Sequence, residues 1–247
     1  MKPQPDHRPV SLVTGSARGL GLAAAERLSL EGHRVHVVWR SSEELVPALA
    51  ERFPGRVHQA DLCEEGAAQS LVDEVLGVDG ELQHVIHAVG DYEEGPLSAM
   101  GSKELRRLFE SNLFSAMSLA ESSRSVLRAV AAEGHDSSLT FFGTAGLDGL
   151  RARTRSAAYA AAKSALLVFV RSLAKEEASH GVRVNMISPG VVPHDAAHSS
   201  TLDPELQAKI PLGRPGTPSE IAAGVHFLTT SRQVTGQDLG IDGGWLL

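Results

Sequence analysis

Two residues with chemistry to offer, Tyr159 and Lys163, stand four apart in an alanine-rich run over 157–170. On a helix of 3.6 residues per turn that spacing puts a phenol and an ammonium on one face. The alanines between them favour helix and leave the face uncrowded. A lone Tyr-x-x-x-Lys is a weak signal and by itself reads as a solvated surface pair. Its weight comes from Thr14-Gly15-Ser16-Ala17-Arg18-Gly19-Leu20-Gly21, which follows a strand-like run and opens a helical one. Glycine at 15, 19 and 21 lets the backbone approach a ligand, and the free N–H groups at the helix start suit a pyrophosphate.

The elements that must position these residues alternate along the chain. Short apolar runs at 10–13, 34–40, 56–60, 84–90, 139–142, 182–187 and 239–244 read as strands. Between them lie helical stretches: the one opened by the glycines, then 43–53, 64–76, 102–128 and 157–170, with a last helix opening at Pro218-Ser219-Glu220. The pattern predicts a single-domain α/β fold, a doubly wound (Rossmann), mostly parallel seven-stranded sheet over residues 9–247, after a disordered tail at 1–8. With 247 residues, 42% of them apolar, one large core is expected, and no linker or repeat divides the chain.

At the end of the second strand, where an NAD-binding chain offers a carboxylate to the adenosine ribose, this one has Trp39 and Arg40. Arg40 and Arg18 match a 2′-phosphate instead, so NADP(H) is favoured over NAD. The net charge of -7 argues against a nucleic-acid partner. Residues 1–8 lack the apolar centre of a secretion signal, and no run looks long enough to span a bilayer, so a cytoplasmic protein is expected. The single cysteine, Cys63, reads as a buried or half-buried thiol. His194, Asp195 and His198 lack zinc-helix spacing, and no metal is expected. Asn112, among Leu108, Phe109, Leu113 and Phe114, is a poor mid-helix residue and suggests a helix opened locally to bind water.

In this order and spacing the chain resembles the short-chain dehydrogenase/reductase family, over nearly its whole length and most of all the 3-oxoacyl-carrier-protein reductase type. The landmarks are the glycine motif, Asp61-Leu62, Asn112, Tyr159 with Lys163, Pro189-Gly190 and Asp242-Gly243-Gly244. The resemblance implies hydride transfer between nicotinamide and a carbonyl carbon, with Tyr159 as acid and base, Lys163 as its electrostatic partner and Asn112 holding a water. It implies cofactor contacts from Gly15, Ser16, Arg18, Gly19, Leu20, Gly21, Arg40, Asp61, Leu62, Ala88, Gly90, Tyr159, Lys163, Pro189, Gly190 and Val192, and a homotetramer. An ammonium ~4 Å from the phenol would favour tyrosinate by on the order of 4 kcal/mol at an effective dielectric of ~20, about three pKa units.

Three positions depart from the family pattern. Thr144 takes the place of the catalytic serine, with Gly143 marking a lost group as the other reading. His87-Ala88-Val89-Gly90 replaces Asn-Asn-Ala-Gly, with His87 expected as a structural substitute. His194 stands where a threonine meets the nicotinamide carboxamide. Arg151, Arg153 and Arg155 precede Tyr159 and read either as a solvated loop or as attraction for an anionic, carrier-protein-linked or thioester substrate. The competing functions are reduction of a pteridine or other C=N substrate and, from another class, a non-catalytic NADPH-binding regulator or partner subunit.

Overall fold

The computed structural model describes residues 8–147, 149, 152–193 and 204–245. Its frame is a seven-stranded sheet of β1 (Val10–Thr14), β2 (Arg34–Trp39), β3 (Val57–Gln59), β4 (His84–His87), β5 (Ser137–Phe142), β6 (Val182–Pro189) and β7 (Asp238–Ile241). The spatial order is β3-β2-β1-β4-β5-β6-β7, and every pairing is parallel. Central strands of such a sheet are covered on both faces, which is why Val-Ser-Leu-Val-Thr and its neighbours read as continuous rather than alternating apolar runs.

The helices are α1 (Gly19–Leu30), α2 (Val46–Arg52), α3 (Ala67–Asp79), α4 (Ser102–Phe109), α5 (Ser115–Ala132), α6 (Ala157–Glu177), α7 (Pro204–Gln207) and α8 (Pro218–Thr230). Leu71, Val75, Leu119, Leu166 and Val170, from α3, α5 and α6, bury one face of the sheet against Leu12, Val85, Leu139 and Val184. Leu28 and Val225, from α1 and α8, bury the other against Val13, Val37 and Ile86. α8 begins where the sequence signals it, with a reciprocal capping box between Thr217 and Glu220 and Pro218 in the first turn. Because the chain winds outward in both directions from β1, a crevice opens between the carboxyl ends of β1 and β4, where such sheets bind ligands.

Several sequence expectations need correction. Cys63 is exposed, since it follows β3 in a turn capped by Asp61 Oδ1 rather than lying on the strand. A short helix, α7, stands between β6 and α8, where the sequence analysis places no element. The stretch Ala157–His180 does reach membrane-spanning length and composition, with mean hydropathy 1.3. It is the core helix α6, with Ala162, Leu166 and Val170 fully buried against the sheet. Residues 1–7, Arg151, His194, Asp195 and His198 lie outside the described residues.

A buried polar network ties β2, β3 and α3 together. Asp79, at the end of α3, accepts from Arg34 (3.1 Å), Arg56 (2.6 and 2.9 Å) and His36 Nε2 (2.8 Å). His36 Nδ1 meets His58 Nε2 at 2.8 Å, and His58 Nδ1 meets Glu74 at 2.8 Å. The Arg56 hydrogen bonds, with those from His36 and the Arg34 charge, hold the Asp79 carboxyl far below the usual carboxylate range against the cost of burial. Asp79→Ala takes one carboxylate from Arg34, which is 8% exposed and keeps Glu81, and removes the Nε2 partner of the fully buried His36 imidazole. The expected cost is about 3 kcal/mol. A thermal melt should show it as a midpoint lowered by roughly 10 °C.

Candidate active site

Tyr159 lies in the first turn of α6 and Lys163 one turn later, both under the carboxyl end of β5. Lys163 is 3% exposed and its Nζ donates to the carbonyl of Phe142, the last residue of β5, at 2.7 Å. Two residues further on, the Thr144 side chain comes near the Tyr159 hydroxyl and favours its charged form. Gly143 has no room for a side chain, because a Cβ there would stand 2.4 Å from Ser188 Oγ and 2.6 Å from Met186 Sδ. Of the two readings of this position, the geometry brings Thr144 to the phenol.

Asn112 sits in a π turn, Glu110–Phe114, that interrupts the helix between α4 and α5. The extra residue per turn frees a backbone carbonyl, and the Asn112 amide takes it over: Nδ2 donates to Leu108 O (3.0 Å) and to Asp91 O (2.8 Å). Among the described residues, Asn112 Oδ1 is buried without a hydrogen-bond partner. A Cβ on Gly90 would stand 2.3 Å from that oxygen and 3.2 Å from Lys163 Nζ, so glycine here lets the amide and the ammonium come to the same spot.

The glycine loop crosses the crevice between β1 and β4. Gly15 (φ 68°) and Gly19 (φ 62°) take left-handed conformations, and a Cβ on Gly15 would lie 2.6 Å from Ala88 O. Gly21 packs on Gly15 so closely that a Cβ would reach its carbonyl at 2.2 Å. α1 starts behind this loop with Arg18 at its N-cap, without a capping side chain or an acidic residue in the first turn. The amides of its first turn are therefore available to an anion. Arg18 and Arg40 are exposed, and Leu20 packs against the core beneath. The Ser16 hydroxyl donates to Val13 O (2.6 Å) and accepts from Val38 N (2.8 Å), pinning the loop to β2. Asp61 and the buried Leu62 follow β3. Pro189 ends β6, and Gly190 lies against Asp242, where a Cβ would meet Cα at 2.6 Å. Val192 is buried just beyond.

Burial governs the electrostatics. The Tyr159 phenol is pushed up to about 12 by desolvation, which outweighs the opposing effect of Thr144. Desolvation takes the Lys163 ammonium down to about 7. The expectation of a phenol acidified by its neighbour is therefore overturned for the protein alone. Lys163 Nζ lies 5.8 Å from the Tyr159 ring centroid and spends a proton on Phe142 O, and the same loss of water disfavours both charged forms.

His87, fully buried, bridges Thr14 Oγ1 (2.9 Å) and Ser115 Oγ (3.2 Å), linking β1 and β4 to α5 as a brace. Two of the arginines before α6 are engaged within the fold. Arg153 donates to Ala145 O at 2.6 Å, and Arg155 pairs with Glu94 at 2.6 Å. Sequence reasoning missed Tyr92, whose ring meets that of Tyr159 edge-on with centroids 5.0 Å apart. Its flanking acidic loop reads as solvated in sequence and carries no periodic signal.

A glycine loop at the switch point of a Rossmann sheet, with hydroxyl, phenol, ammonium and amide groups gathered at the carboxyl ends of the next strands, defines the dinucleotide-dependent oxidoreductase class. Comparison with known proteins narrows it. The family model described as enoyl-(acyl carrier protein) reductase matches residues 15–246. Carbonyl reductase family member 4 of Danio rerio is 30% identical over 239 residues, covering 95% of this chain and 97% of its own. The 3-oxoacyl-[acyl-carrier-protein] reductase FabG of Escherichia coli K12 is 31% identical over 241 residues, covering 95% and 96%. A blue fluorescent protein from a metagenomic library, solved in complex with NADPH, superposes with a TM-score of 0.87 at 25% identity over 99% of this chain and 100% of its own. The chain belongs to the short-chain dehydrogenase/reductase family and is similar to its 3-oxoacyl-carrier-protein reductases.

Proposed function

We propose that this protein uses NADPH to reduce a carbonyl, either a ketone or a 3-oxoacyl thioester, and that Tyr159 delivers the proton. The observation that carries the reading is the Thr144–Tyr159 hydroxyl pair beside Lys163 and, among the described residues, the partnerless Asn112 Oδ1. The residues present fit the cofactor. The close-packed glycines and uncapped α1 amides suit a pyrophosphate, Arg18 and Arg40 suit a 2′-phosphate, and Gly90, Pro189, Gly190 and Val192 would border the nicotinamide end. NADPH, when bound, supplies hydride at C4 of its nicotinamide.

The chain's own part is positioning and proton transfer. Thr144 Oγ1 and the Tyr159 hydroxyl converge on the carbonyl oxygen, polarising it before the alkoxide forms. Tyr159 then gives its proton, which a phenol held near 12 still carries at neutral pH. The phenolate left behind regains a proton from solvent, passed along the Lys163 amine and a water that Asn112 Oδ1 would hold. Residue for residue these roles follow the family likeness.

The pH dependence separates the two directions. Alcohol oxidation needs tyrosinate, and with a phenol near 12 the protein has little of it at pH 7. The oxidation rate should climb about tenfold per pH unit between roughly pH 7 and 9, while reduction, which uses the protonated phenol, should not. An oxidation rate already level by pH 8 would contradict the assignment.

Apolar Phe114, Met117 and Val168 are exposed on the outer faces of the π turn, α5 and α6, which supports a homotetramer, with sedimentation as its test. The same reading places the protein in the cytoplasm. The regulator alternative draws on the altered strand-four motif, but His87 restores the bracing there. A panel of ketones, a 3-oxoacyl thioester, an enoyl thioester and a pteridine, followed by NADPH absorbance, separates the activities. NADPH binding without turnover of any of them would favour the regulator.

A further inference from the structure

We propose that Tyr92 is a specificity-determining residue of this site and that it selects carbonyl compounds bearing a flat aromatic or conjugated group beside the carbonyl. The proposal rests on the carbonyl-reductase reading above. The chain has only two tyrosines, and they touch: the rings of Tyr92 and Tyr159 meet at 85° with centroids 5.0 Å apart. Tyr92 is 61% exposed, so beyond that contact its ring is largely bare.

The loop that carries Tyr92 is anchored on both sides. The Asp91 N–H donates to Ser111 Oγ (3.2 Å), and Asp91 O accepts from Asn112 Nδ2 (2.8 Å). The Asp91 and Glu93 carboxylates both pair with Arg107 on α4. On the other side the Gly95 N–H donates to Arg155 O (2.7 Å), and Glu94 pairs with the Arg155 guanidinium (2.6 Å). All three acidic side chains beside Tyr92 are thus matched by arginines, and what the loop offers at the phenol is an aromatic surface held at fixed height. A carbonyl that accepts from the Tyr159 hydroxyl must carry one of its substituents past this ring. An aliphatic substituent gains only burial there. A planar one adds an aromatic pair, a preference of about fivefold to tenfold.

The experiment compares acetophenone with cyclohexyl methyl ketone, of nearly equal size, in the wild type, Tyr92→Leu and Tyr92→Phe, with NADPH saturating and thermal melts to show that each variant is folded. Expected in Tyr92→Leu is a KM for acetophenone raised about fivefold to tenfold, with kcat and the constants for the cyclohexyl ketone nearly unchanged. Tyr92→Phe should keep the wild-type preference. An aryl preference that survives Tyr92→Leu, or a kcat that falls equally for both ketones, overturns the proposal. If the wild type reduces neither ketone, the carbonyl reading is what fails for these compounds. Tyr92 is then judged by saturation-transfer NMR of acetophenone with the NADPH complex. Signal lost in Tyr92→Leu and kept in Tyr92→Phe supports the role, and signal that is absent from the wild type or unaffected by either change overturns it.

Discussion

Tyr159→Phe should lower ketone-dependent NADPH oxidation by about a thousandfold or more, the scale of a lost general acid, while NADPH binding followed by fluorescence changes little. The substitution removes one oxygen from a ring whose packing, edge-on to Tyr92 and one turn before Lys163, stays as it is. Binding survives because the cradle is built from the glycine loop and the α1 amides, none of which touches the phenol oxygen. Thr144→Ala should act on the same step more mildly, since the hydroxyl it removes assists the phenol rather than giving the proton, and Thr144→Ser should restore what Thr144→Ala loses. If Tyr159→Phe kept even a tenth of the wild-type rate, another group would be the acid.

The second large effect is acid unfolding. Four imidazoles lie inside or beside the sheet with their basicity depressed chiefly by burial, His33 and His36 to about 4, His84 and His87 to about 3. Each is neutral in the fold and would take a proton below pH ~6.5 once the chain unfolds. A depressed folded pKa makes its stabilising contribution complete above the unfolded value, and that contribution is lost as pH falls toward the folded one. Each group then costs up to about 1.4 kcal/mol per pH unit, so the four together remove on the order of 5 kcal/mol between pH 6 and 5. Against a typical stability of roughly 5–15 kcal/mol, unfolding should come in near pH 4 to 5, with uptake of about four protons. Circular dichroism across pH with potentiometric proton counting checks it. A fold intact at pH 3.5, or uptake of fewer than about two protons, would show that these histidines do not govern the transition.

What the sequence disclosed and what it hid divide along one physical line. Strand-like runs, the glycine turn, the Tyr–Lys spacing and the helix start at Pro218-Ser219-Glu220 are local patterns, and each element was legible because its residues are neighbours in sequence. Asn112 was legible too, as a residue that competes with the helix it sits in, and the π turn is the outcome. The Asp79 network was not, because its members come from β2, β3 and α3 and meet only when those elements pack. The same holds for Arg153 and Arg155, which read as free basic charge until their partners at Ala145 and Glu94 are in place. The Tyr159 phenol went the wrong way because spacing reveals a neighbouring charge, whereas burial, the larger effect here, depends on everything packed around the pair. Tyr92 gave no sign, being a single aromatic in a polar loop.

The most direct test follows the hydride itself. With NADPH carrying deuterium at nicotinamide C4, and either a ketone or a 3-oxoacyl thioester as acceptor, mass spectrometry of the wild-type product should find an alcohol about one mass unit heavier on the former carbonyl carbon. Tyr159→Phe, with the cofactor equally bound, should yield almost none. Deuterium that stays on the cofactor with every acceptor, or label that reaches the product equally well without the phenol oxygen, would contradict the account.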